Sequence, residues 1–104
     1  MSVISVYAVF ADKDEADRIG RLMVEQRLAA CVNILGQIRS IYRWKGKVET
    51  SDEIAAIFKT SEEKAGDLMT RIAALHSYEI PCIVTWPIEQ IVGSYADWVE
   101  ASLD

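Results

Sequence analysis

The chain has 104 residues, of which 51% are hydrophobic and 26% charged, and it carries a net charge of -5. That suits one globular domain over residues 1–104 with a small core, and excludes disordered and fibrous classes. The acidic balance argues against nucleic acid or an anionic membrane as partner, because both reward a basic surface.

The first residues, Met1-Ser2-Val3-Ile4-Ser5, have no basic segment leading into a long apolar run. No apolar stretch approaches the ~20 residues that span a bilayer, so a cytoplasmic location is expected. There a disulfide between Cys31 and Cys82 is not the expectation, since cytosolic thiols stay reduced or serve metals.

Val3 to Phe10 is short, β-branched and aromatic, and apolar on both parities, which predicts a central strand. Asp12-Lys13-Asp14-Glu15 has the form of a capping box and opens a helix whose apolar stripe is Ala16, Ile19, Gly20, Leu22, Met23 and Leu28. Two long strands follow, Val32 to Trp44 and Val48 to Thr60, joined at Lys45-Gly46-Lys47. A three-residue turn would set Ile38 opposite Ile54, Arg39 opposite Glu53, Ile34 opposite Phe58, Arg43 opposite Glu49 and Trp44 opposite Val48. Gly36 marks the place where a bulge would break that register.

Thr60-Ser61-Glu62-Glu63 is a second capping box, opening onto Ala65, Leu68, Met69, Ile72 and Leu75 at helical spacing. That helix should stop near His76, because Pro81 forces Ile80 into extended geometry, and Ile80 to Trp86 reads as a strand. Gln90-Ile91-Val92 is a candidate short last strand. Gly93-Ser94-Tyr95-Ala96-Asp97 then starts a final helix expected to bury Tyr95, Trp98, Val99 and Leu103. The order predicts an α+β fold, the ferredoxin-like βαββαβ arrangement with a long β-hairpin and an extra C-terminal helix.

Strand length carries its own consequence. Thirteen residues at about 3.3 Å each make a strand of roughly 43 Å, while a compact chain of this size is near 34 Å across. The hairpin tip should overhang its domain and expose Tyr42 and Trp44, an edge that another chain must cover.

Several residues carry candidate chemistry. In His76-x-x-Glu79-x-x-Cys82 an imidazole, a carboxylate and a thiol fall within seven residues, and Cys31 is a further soft donor. Together they would suit copper or another divalent metal. Such binding should weaken below about pH 6, as imidazole near its usual pKa of ~6.5 protonates. The bland alternatives are a core thiol at Cys31 and a loop-ordering histidine. Lys59 and Asn33, opposite one another in the predicted register, offer a cation beside an amide, for a small anion or for buried backbone groups. Tyr42, Trp44, Tyr95 and Trp98 read as subunit-packing aromatics. An enzyme is not expected: a Cys31–His76 pair has no evident orienting group, and neither a phosphate loop nor a dinucleotide fingerprint is present.

Arg27-Leu28-Ala29-Ala30-Cys31-Val32-Asn33, Tyr42-Arg43-Trp44-Lys45-Gly46, Phe58-Lys59-Thr60, His76-Ser77-Tyr78-Glu79-Ile80-Pro81 and Gly93-Ser94-Tyr95-Ala96-Asp97-Trp98 occur in that order. Together they resemble the CutA family of divalent-cation tolerance proteins from the first strand to the last helix. The resemblance implies a cytosolic, metal-responsive homotrimer, similar in architecture to PII signalling proteins, with hairpins packing across subunits. An inter-subunit cleft would hold Asn33, Lys59 and Tyr78. The chain departs from the family at Ser77, where proline is usual, and at Cys82, where an acid is common. Three functions stay open: a metal-binding tolerance protein, a PII-like small-molecule sensor, and a rigid trimeric scaffold for a protein partner.

Overall fold

A computed structural model describes residues 2–104. The elements run β1 (Val3–Phe10), α1 (Lys13–Glu25), β2 (Cys31–Trp44), β3 (Lys47–Ser61), α2 (Glu62–Leu75), β4 (Ile83–Pro87) and α3 (Gly93–Ser102). The strands form one antiparallel sheet in the order β2-β3-β1-β4. This is the α+β, ferredoxin-like arrangement that the element order predicts.

Alternation along β1 and β3 decides the two faces. Val6, Ala8 and Phe10 join Ile54, Ala56 and Phe58 in a core closed by Ala16, Ile19 and Met23 of α1 and Leu68 and Ile72 of α2. Each large side chain buried there contributes about 1.5–3 kcal/mol. On the opposite face, Val3 and Ala30 pack against Val99 of α3 and Leu103, the residue that caps its C-terminus. That helix covers only the Val3 end, and the rest of the face is open toward the hairpin.

Caps fix the helix starts. The Asp12 carboxylate accepts from the Glu15 amide at 2.9 Å, and Glu15 reaches back to the Ala11 amide at 3.0 Å, one residue further than in the usual box. At α2 the cap is Ser61, which accepts from the Lys64 amide at 3.2 Å. Thr60, the expected cap, donates instead to the Leu28 carbonyl at 2.7 Å and ties the α1–β2 turn to the sheet. Extended β3 pairing through Ser61 moves the helix start one residue along.

The hairpin departs from the predicted register. Lys45 (φ 50°) and Gly46 (φ 81°) form a two-residue turn with both φ positive, which puts Trp44 opposite Lys47. Such a turn matches the right-handed twist of the flanking strands. Ile38 therefore faces Glu53, Arg39 faces Asp52 and Arg43 faces Val48, each one residue from the expected partner. Between Ile34 and Gly36 the register shifts again, leaving Ile34 opposite Ala56 and Val32 opposite Phe58. Gly36 takes φ 113°, open to glycine and strained for other residues.

The bulge has a larger effect than a local kink. A strand shows alternate residues to alternate faces, so one extra residue transfers a whole series across the sheet. Val32 and Ile34 share the helix-covered face with Phe58 and Ala56, whereas Ile38, Ser40 and Tyr42 share the open face with Glu53, Ser51 and Glu49.

The molecule measures 45 × 26 × 22 Å, the elongation expected of an overhanging hairpin. Ile41 (69% exposed) and Val48 (64%) lie bare on the arm, and Tyr42 and Trp44 are also exposed. Three expectations at the C-terminal end fail. β4 begins at Ile83 rather than Ile80, and residues 90–92 form no strand. Helix α3 buries Val99 and Leu103, but Tyr95 and Trp98 stay exposed, because only one side of this helix meets the sheet.

Candidate functional site

The open face carries two groups of chemically useful side chains. The first lies beside α3. Lys59 of β3 sits directly opposite Cys31, and its ammonium donates diagonally to the Asn33 side-chain oxygen at 3.2 Å. The expected face is right and the expected partner is not: Asn33 stands opposite Ile57, because the turn and the bulge together shift the register by two at this end. Cys31 Sγ lies 3.3 Å from the Tyr95 hydroxyl. Tyr95 in turn stacks on Trp98 with 5.7 Å between ring centroids. Burial and the bond to Cys31 push the Tyr95 phenol up to about 12.

The second group forms where the hairpin leaves the body, and His76 prepares it. Its imidazole, buried and stacked on Phe10 at 5.2 Å, places Nε2 2.7 Å from the Val9 carbonyl. Nδ1 accepts from the Tyr78 amide at 3.0 Å. The ring is thus the neutral Nε2–H tautomer with both nitrogens engaged. Glu15, 4% exposed, lies 4.0 Å from Nδ1 and accepts from the Ser77 amide at 2.8 Å. Burial alone would raise the Glu15 carboxyl, but bonds from Ala11 and Ser77, with His76 close by, outweigh it and hold it below the usual value. Proline at position 77, usual in the resembled family, would have no amide to give. The serine ties this turn to α1.

From that anchor the chain rounds the end of β1, and Tyr78 reaches the open face to donate its hydroxyl to Glu53 Oε2 at 2.7 Å. Burial first, and then Glu53, raise the Tyr78 phenol well above its ordinary value. Glu53 is only 8% exposed although it is charged. Around it opens a cleft of about 690 Å³ whose walls include Tyr7, Ile38, Tyr42, Trp44 and Cys82. The Cys82 thiol is exposed at this cleft, and burial together with the nearby Glu53 charge pushes its pKa up.

The four expected metal donors do not converge. Cys31 is on edge strand β2 level with Ser5, while Cys82 flanks edge strand β4 beside Val9. Three strand spacings of about 4.8 Å and four residues of about 3.3 Å separate them. Among the described residues no three histidine, cysteine or carboxylate groups stand together as a metal site. His76 has no free nitrogen, so its structural role prevails, while Glu79 and Cys82 are exposed. A resident metal held by all four does not fit this chain. Both cysteines are free thiols.

Glu53 is the site residue that sequence reasoning missed. The predicted register sets it opposite Arg39; the alternation of β3, which puts Ile54 in the core, turns Glu53 to the other face, where the chain after α2 brings Tyr78. The sequence signal of Glu53 is an acid that directly abuts the apolar run Ile54-Ala55-Ala56-Ile57-Phe58.

Residues 4–102 match the family described as CutA1 divalent ion tolerance protein. The divalent-cation tolerance protein CutA of Thermotoga maritima is 43% identical over 101 residues, covering 97% of this chain and 99% of its own. A CutA crystal structure from Xylella fastidiosa superposes with a TM-score of 0.96 at 34% identity over the whole of both chains. The Archaeoglobus fulgidus CutA structure, described as a periplasmic divalent cation tolerance protein, gives 0.95 at 37% identity, covering 98% of this chain and 99% of that one.

Proposed function

The chain belongs to the CutA1 divalent ion tolerance protein family, and from that premise we propose that it is a non-catalytic, cytoplasmic homotrimer that supports tolerance of copper or other divalent cations. The observation that carries this reading is unpartnered apolar surface. Ile41, Tyr42, Trp44 and Val48 stand on an arm that extends a 45 Å molecule, and Trp86 and Tyr95 add to the exposed aromatic area. Bare apolar strands of that length are an aggregation hazard for a lone chain, and neighbouring subunits remove the hazard by covering them.

Metal contact in this reading runs through accessible donors rather than one four-residue centre. Cys82, with Glu79 three residues away, offers a thiol and a carboxylate on exposed chain, and a trimer multiplies each by three. Soft thiolate donors favour copper(I) and zinc. His76 contributes by holding Tyr78 in place. The pH dependence changes accordingly: no step near pH 6 is expected, and affinity climbs above neutrality, because the metal must displace a proton from a thiol whose pKa is raised.

Native mass spectrometry of protein purified without added metal tests the assembly, with calorimetric titration of copper and zinc into wild type, Cys31→Ser, Cys82→Ser and His76→Ala. Three-chain particles, weakened binding in Cys82→Ser and unchanged affinity in His76→Ala are expected. A folded monomer at micromolar concentration, or equal affinity in all the variants, refutes the reading. A PII-like sensor is the second reading, favoured by the Lys59–Asn33 pair on the open face; a small anion retained in the native spectrum would support it.

A further inference from the structure

The chain between α2 and β4 is a strap fixed at its two ends and lightly held between them. At one end the Ser77 amide donates to Glu15 Oε2 at 2.8 Å. At the other the Cys82 carbonyl accepts from the Val9 amide at 3.1 Å. Between them Glu79 is exposed, and so is Ile80, to 70%. Among the described residues, the only hydrogen bonds on Tyr78-Glu79-Ile80-Pro81 are the two that Tyr78 makes, its amide to His76 Nδ1 at 3.0 Å and its hydroxyl to Glu53.

His76 can accept that amide in one protonation state only. Its Nε2–H is committed to the Val9 carbonyl at 2.7 Å, so Nδ1 holds the one acceptor lone pair of the ring. A proton added at Nδ1 makes it a donor aimed at the N–H of Tyr78, and the bond becomes a repulsive contact. One charged acceptor stands close by, Glu15 Oε1, 4.0 Å from Nδ1. Closing that gap to the roughly 2.8 Å of a charge-assisted bond takes about 1.2 Å of movement.

Each element around the ring can be checked for a competing charge. From α1 the facing group is Glu15. Burial would raise its carboxyl, but the bonds from Ala11 and Ser77 hold it below the usual value. It is therefore ionised throughout the range of about pH 8 to pH 5 in which imidazole ordinarily takes up its proton. From β1 the ring meets the uncharged Phe10 and the Val9 carbonyl, and α2 has no basic residue in its last turn. From the strap comes the Tyr78 ring at 4.9 Å, whose phenol stays protonated because burial and then Glu53 raise it.

We propose that His76 is a pH-sensitive latch on this strap: a proton taken up at Nδ1 exchanges the Tyr78 amide for the Glu15 carboxylate and frees residues 78–81 between their two fixed ends. The exchange takes place inside one subunit, on the Phe10 side of the sheet that α1 and α2 cover, and uses no side chain of the hairpin arm. Cys82 keeps its bond to Val9, so the latch is independent of the thiol-based metal contact.

The test is NMR on the isotope-labelled chain in its native assembly, with a chelator present, from about pH 8 to pH 5. Imidazole nitrogen shifts report the proton on Nδ1, and amide exchange, corrected for its intrinsic pH dependence, reports the strap. Protection of the Tyr78 amide should fall about tenfold or more with the same midpoint as the Nδ1 signal, while the Ser77 amide and the amides of β1 keep theirs. Tyr78→Phe, which lacks the bond to Glu53, should show the same midpoint, and His76→Gln, which takes up no proton, should show no step. Should His76→Gln fail to fold, Glu15→Gln serves in its place: without the carboxylate, protonation of Nδ1 and the Tyr78 step move together to lower pH. Tyr78 protection that holds steady through the His76 titration overturns the proposal. So does an Nδ1 that stays unprotonated to pH 5 in the folded protein, a step that vanishes in Tyr78→Phe, or a loss of protection shared by the whole chain.

Discussion

Replacing Glu15 by glutamine isolates the interaction that anchors the turn after α2. The carboxylate is 4% exposed and takes the Ala11 amide at 3.0 Å and the Ser77 amide at 2.8 Å. Glutamine keeps one acceptor oxygen and turns its NH2 against the other amide. One charge-assisted bond is lost and one amide is left stranded, for a total near 2–4 kcal/mol at pH 7. Urea unfolding with an unchanged m-value should register that loss directly. The pH series is the sharper reading. Because the folded-state pKa of Glu15 is lowered, its contribution is complete above the unfolded-state value of ~4.3 and disappears as pH falls through the lower folded value. Protonated Glu15 then resembles glutamine, so the gap between the two proteins should be full at pH 7 and should close below about pH 4. A gap under about 0.5 kcal/mol at pH 7, or one equal at pH 7 and pH 3, would refute the account.

Gly36→Ala places a side chain at φ 113° and should cost about 1–3 kcal/mol, with amide exchange rising on both strands around the bulge. Phe58→Ala empties a fully buried site beside Phe10 and should cost about 3–5 kcal/mol in denaturant unfolding. Ser61→Ala removes the α2 cap at about 1 kcal/mol. Thr60→Val costs a similar ~0.5–1.5 kcal/mol through the Leu28 carbonyl, and Thr60→Ser should restore it.

Much of this protein is legible in the sequence, and what is legible is local. β1 follows from a compact apolar run, α1 and α2 from three- and four-residue spacing behind capping residues, and the arm from two long strands around one Lys-Gly turn. These signals lie within a few residues of one another, so the chain's own chemistry settles them. Elongation also followed, because strand length is a count of residues.

Tertiary structure alone decided the pairing details and the site. The two-residue turn and the Gly36 bulge each move the register by one, and pairing is chosen by the fit of whole strands against both faces, which no single residue announces. That choice carried Ile38, Ser40 and Tyr42 to the open face, where the chain after α2 brings Tyr78 against Glu53. Strand order, with β2 and β4 at opposite edges of the sheet, kept Cys31 far from Cys82 and His76, which the sequence had grouped by chemistry. His76 looked like a ligand because imidazole commonly is one. In the fold its two nitrogens are already taken by Val9 and Tyr78, since a buried ring must satisfy both before it can offer either.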